Sequence, residues 1–238
     1  MPIGFPKDPT TPILSTRLTA PYLLSDSDAV ITETYLSRKP ASHSAAVALA
    51  SVASLCIVSW IYWTGALGLG SKLAATPETV FDLGEYWRLY TAIGTHADPQ
   101  HLLSNALVFG VLSYLLFGYF GALVHPVLTI GCGGLVMAAS LATYPPLTIL
   151  VGASGVTYLM AAFWLTLYLF IERRFTPAKR LLRAAGFGVI VLMPSVIEPE
   201  VSYRTHAIGF VVGVALGLVY FHLSKARLRS AERVATDS

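Results

Sequence analysis

The chain has 238 residues, a mean hydropathy of +0.64, 12% charged residues and a formal net charge of +3. That balance excludes a soluble globular domain, and several apolar runs approach the roughly 20 residues that cross a bilayer. The chain therefore reads as an all-α, polytopic membrane protein, and the net charge says little about partners until the charges are placed.

In chain order, residues 1–43 form a polar tail interrupted by Pro2, Pro6, Pro9, Pro12, Pro21 and Pro40, largely irregular, with a short helix expected near 28–36. No cleavable signal peptide is legible there, so the first span is expected to serve as an uncleaved insertion signal. A membrane domain over 44–223 follows, with spans expected at 45–69, 100–124, 126–143, 153–171, 180–197 and 205–223. Between the first two spans, Phe81, Trp87 and Tyr90 beside Glu85 and Arg88 suit a membrane interface. Residues 224–238 form a basic tail. Cys56 and Cys132 fall inside apolar runs and are expected to be buried free thiols.

Six spans put both termini, the 121–126 turn and the 172–183 turn on one side. That side holds most of the Lys and Arg, while the other holds only Lys72, Arg88 and Arg204. The positive-inside rule then makes both termini cytoplasmic. No Asp or Glu lies mid-span, which argues against a proton-coupled carrier and against an intramembrane aspartyl protease. H-E-x-x-H is absent, which argues against the usual zinc protease. No metal, cofactor or nucleic acid is expected.

Chemistry concentrates in three places. Gly152-Ala153-Ser154-Gly155 follows the Pro145-Pro146 break and opens the fourth span. This puts a hydroxyl beside unpaired N–H groups and the positive end of a helix dipole, a setting that suits a nucleophile. Taken alone it reads first as a helix-capping serine, and its weight depends on a base and an oxyanion donor elsewhere in the chain. His206 opens the sixth span with Gly209 and Gly213 on the same face, where small residues let a second helix pack closely and turn the imidazole into the bundle. It could be a base or a packing histidine. His101 and Asn105, four apart on one face of the second span, can donate to an oxygen gaining negative charge or hold two helices together. His96 reads as structural or interfacial, and His125 and His222 lie at the cytoplasmic ends of spans and need no special account. The alternation of spans brings Ser154, His206 and His101 to one depth on one side, and that coincidence points to a serine–histidine site.

The chain resembles the rhomboid family of intramembrane serine proteases over roughly residues 80–222. The resemblance is carried by Glu85-Tyr86-Trp87-Arg88, by the run from His96 to Asn105 that ends H-x-x-x-N, by Gly152-Ala153-Ser154-Gly155 with Tyr158, and by His206 with Gly209 and Gly213. It implies a six-helix bundle in which Ser154 and His206 form a catalytic dyad. His101, Asn105 and the Ser154 N–H would hold the oxyanion, and Tyr158 would stack on His206 and orient it. Glu85, Trp87 and Arg88 would pin the first loop. The implied partners are the lipid bilayer and single-span or other transmembrane protein substrates, cut in or near their spans, with a bacterial inner membrane the expected location. Thr205, where a small residue is usual, and Arg204 at the cavity mouth depart from the pattern. The competing readings are a catalytically inactive rhomboid-like protein that binds membrane clients, and a channel or transporter, for which internal repeats are missing.

Overall fold

The computed structural model describes residues 30–192 and 202–235. Helix dominates because, in an apolar run the length of a bilayer, only the internal ladder of a helix satisfies every backbone polar group without water. The helices are α1 (Ser44–Thr64), α2 (Arg88–Gly94), α3 (Pro99–Phe120), α4 (Thr129–Leu141), α5 (Ser154–Ile171), α6 (Pro177–Leu192) and α7 (Tyr203–Arg229). Among the described residues, α1, α3, α5, α7 and the stretch Leu123–Leu141 containing α4 are long and apolar enough to cross a membrane. The expected fifth span corresponds to α6, and its residues 193–197 lie outside the described residues.

The boundaries differ from expectation for local reasons. Helix α1 stops at Thr64 because Gly65 takes φ +67°, a left-handed cap that glycine adopts freely. Helix α7 runs to Arg229, so 224–229 continues a helix instead of starting a separate tail. The helix expected near 28–36 is not formed over its described part. Ile31–Glu33 is strand β1, paired antiparallel with β2 (Arg233–Val234), and Tyr35–Ser37 is a single tight turn. Ile31 and Thr32 are β-branched and favour the extended chain. The two ends of the described chain therefore meet beside the C-terminal end of α5, where Arg173 also pairs with Glu232 at 3.2 Å.

Helix α5 is the centre of the bundle. Of its most apolar stretch 61% is buried, against 17% for α1, which leaves α1 mostly facing lipid. Leu159, Met160, Phe163 and Leu167 of α5 are fully buried. Helix α7 lies along α5 with Gly209, Gly213 and Gly217 turned inward. A Cβ on Gly209 or Gly213 would strike the carbonyl oxygen of Gly155 or Leu159, so the two backbones approach as closely as glycine allows. Several hydroxyls inside the bundle are satisfied by their own helices: Ser113 donates to the Phe109 carbonyl at 2.7 Å and Thr166 to that of Ala162 at 2.8 Å.

Two expectations about side chains need correction. Cys56 is exposed, because α1 turns most of its surface outward, and Cys132 on α4 is only half-buried. His125, expected to lie unremarkably at a span end, is fully buried. Its ring bonds Ser51 of α1 at 3.2 Å and Thr129 of α4 at 2.9 Å, tying those helices together.

Candidate active site

The N-terminal ends of α3, α5 and α7 surround a cavity of about 850 Å³, lined by His101, Asn105, Gly152, Ser154, Thr205 and His206 among others. Each lining residue is placed by its own local structure. Asp98 caps α3 by accepting the His101 N–H at 2.8 Å, and Pro99 occupies the first helical turn, where its missing N–H costs nothing. This aims the His101 ring at Gly152. Gly152 has φ +115°, and a Cβ there would sit 2.9 Å from the His101 Cε1, so the position requires glycine on both counts.

The segment before Ser154 is held by backbone and ring contacts from the first loop. Leu150 N–H donates to the Ala75 carbonyl at 2.8 Å and Gly152 N–H to that of Ala92 at 2.9 Å. Ala153 N–H donates to Nε2 of His96 at 3.3 Å. Ser154 is then the first residue of α5, half-buried, with the unpaired N–H groups of the helix start beside it. His206 is buried on the first turns of α7, and its ring stacks on Tyr158 with centroids 4.0 Å apart and planes 12° apart. Asn105 is buried, and its side-chain amide donates to the His101 carbonyl at 2.9 Å. The structure thus brings Ser154, His206, His101 and Asn105 to one cavity and lays Tyr158 against His206. Among the described residues, no three His, Cys, Asp or Glu come together as a metal site.

Glu85 and Arg88 act within the first loop. Arg88 Nε meets the Glu85 carboxylate at 2.5 Å, its guanidinium donates to the carbonyls of Ser71, Lys72 and Ala74, and it lies over Trp87. One arginine with several planar donors gathers a loop that has little regular structure of its own.

His96 has a larger part than its sequence position suggested. Its ring is fully buried, Nδ1 faces the Ser59 hydroxyl at 3.0 Å, and that hydroxyl donates to the Gly94 carbonyl. Since Nε2 accepts from Ala153, Nδ1 carries the proton. Burial, aided by the nearby His101, pushes the imidazole down to about 4. Its folded value is depressed, so the unfolded chain binds the proton first as pH falls. The stability it contributes is complete above about pH 6.5 and is lost progressively toward pH 4, to a limit of about 3 kcal/mol. A pH series of thermal unfolding should show that loss in the wild type and a flatter profile in His96→Gln. Parallel profiles would remove His96 from the account.

A family model described as Rhomboid domain matches residues 83–223, more than half of the chain. No curated protein matches.

Proposed function

Because the chain belongs to the rhomboid family, we propose that it is an intramembrane serine endopeptidase that cuts transmembrane proteins in or next to their spans. The observation that carries this reading is the shared cavity. It holds a serine hydroxyl at a helix N-terminus and a histidine whose ring is fixed by stacking, together with two further donor side chains.

In this reading Ser154 Oγ attacks the scissile carbonyl carbon while His206 takes the hydroxyl proton. The carbonyl π pair moves to oxygen, and the resulting oxyanion is held by the Ser154 N–H, the His101 ring and the Asn105 amide. Asn105 has two amide hydrogens, so one can stay on the His101 carbonyl while the other turns to the oxyanion. As the tetrahedral centre collapses, the C–N bond breaks and His206 passes its proton to the departing amine. Water then attacks the acyl-enzyme, again losing its proton to His206, and Ser154 leaves with that proton restored. Tyr158 takes the orienting place of the acid in a triad, since a ring stacked at 4.0 Å limits imidazole rotation. Net hydrolysis consumes one water and needs no metal or cofactor. We place both termini in the cytoplasm by the distribution of basic residues, with the cavity opening on the opposite face, and a bacterial inner membrane as the location.

The test is direct. The purified protein in lipid vesicles should convert a single-span test protein into two fragments, and mass spectrometry should place the new ends in or beside the span. A folded preparation that leaves a panel of single-span proteins intact would instead favour the inactive, client-binding reading.

A further inference from the structure

We infer that Tyr144 and Ser202 are positioning residues that hold His206 in register through a chain of three hydroxyls at the rim of the cavity. Helix α7 starts beside the loop between α4 and α5, and His206 is only the fourth residue of that helix. Helix ends fray unless their first N–H groups find partners. Ser202 supplies one partner, its Oγ accepting the Thr205 N–H at 3.2 Å. The same oxygen lies 2.6 Å from the Thr205 hydroxyl and 2.5 Å from the Tyr144 hydroxyl.

Either neighbouring hydroxyl can be the donor to Ser202, and the acidity of the phenol favours the arrangement in which Tyr144 donates. A serine oxygen offers one proton and two lone pairs. In that arrangement it accepts from the phenol, the most acidic of the three hydroxyls, and from the Thr205 N–H, and it donates to Thr205 Oγ1. Every donor and acceptor position of Ser202 is then used. Arg204 adds a second hold on the same loop: its guanidinium donates to the Thr143 carbonyl at 2.9 Å and lies 5.3 Å from the Tyr144 ring centre. Thr205 is 3% exposed and presses its methyl on Gly155, the residue after Ser154. The turn carrying His206 is thus gripped twice, by glycine packing on the α5 side and by hydroxyls on the loop side. Thr205 and Arg204, the two departures from the family pattern, both belong to this grip.

A catalytic base displaced by about 1 Å can lose about a hundredfold in rate. Releasing one hydroxyl from the chain should therefore lower turnover while leaving substrate binding in place. This inference rests on the protease reading, so its test needs a readout that does not depend on proteolysis. The variants are Tyr144→Phe, Ser202→Ala, their double, and Ser202→Thr. The measurements are kcat and KM on a single-span test protein, and the rate at which diethyl pyrocarbonate acylates His206, followed by mass spectrometry with exposed His222 as the internal reference.

Tyr144→Phe and Ser202→Ala should each lower kcat about tenfold at unchanged KM and speed acylation of His206 relative to His222. The double variant should be no worse than Ser202→Ala, because both changes break the same chain. Ser202→Thr should recover most of the lost rate. Wild-type kcat and acylation in Tyr144→Phe, losses that multiply in the double, or an effect confined to KM would each overturn the inference. If the wild type itself proves inactive, the protease reading fails, and the acylation rates alone decide whether the hydroxyl chain holds His206.

Discussion

Ser154→Ala and His206→Ala should each abolish detectable turnover, by about 10⁴-fold or more, while unfolding at temperatures close to the wild type's. The serine change removes one oxygen from a half-buried position at a helix start, where no buried partner is left unsatisfied. The histidine change costs the stack on Tyr158 but leaves the α5–α7 seam, which is built from glycines, untouched. Because the proposed mechanism has the two groups act on one proton transfer, the double variant should be as slow as either single variant. Asn105→Ala should cost less, about 10²-fold, since the Ser154 N–H and His101 remain to hold the oxyanion. A Ser154→Ala protein that still does all the wild type does would put the chain among the client-binding or transporting alternatives.

The second large effect concerns the seam itself. Gly209→Val should both destabilise the protein and inactivate it. The new Cβ would fall on the Gly155 carbonyl oxygen, a backbone atom that cannot turn away, so α7 must move off α5. Overpacking of this kind costs about 1–3 kcal/mol or more. The shift occurs one turn after His206 and one residue after Ser154, so it pulls the proposed base from the nucleophile. Gly213→Ala meets the Leu159 carbonyl in the same way but lies a further turn away. It should lose comparable stability and less activity. Gly131→Ala on α4, where a Cβ meets nothing within 4 Å, is the control and should fold and turn over normally. Thermal unfolding beside turnover separates the three. Equal activity loss in Gly209→Val and Gly131→Ala would show that glycine content, and not the contact with Gly155, governs the site.

Much of the site was legible because its residues sit at the ends of strongly apolar spans. Alternation of spans assigns depth, and depth brings Ser154, His206 and His101 together before any contact is known. The glycine face of α7 was legible for a similar reason, since spacing by four on a helix defines a face. What could not be read was pairing between irregular segments. The bond from Ala153 to His96 joins residues 57 apart through two loops, and no periodicity marks either end. The pairing of Ile31 with Val234 joins two very short strands across most of the chain, and neither shows the alternation that identifies a strand. The partnership of Tyr144 with Ser202 has the same character, although Thr205 and Arg204 were already visible as departures. His125 was misread because a histidine near the end of a span is ordinarily interfacial. Here the bend before α4 turns it inward against Ser51.

The central claim is an activated Ser154, and it is tested most directly by labelling the detergent-solubilised protein with a fluorophosphonate probe. The serine oxygen displaces fluoride from phosphorus, which requires a base for its proton but no substrate recognition. Covalent labelling of the wild type that maps to Ser154, and that both Ser154→Ala and His206→Ala abolish, is the predicted result. A well-folded wild type that takes up no label, or that labels as fast after His206→Ala, would contradict the account.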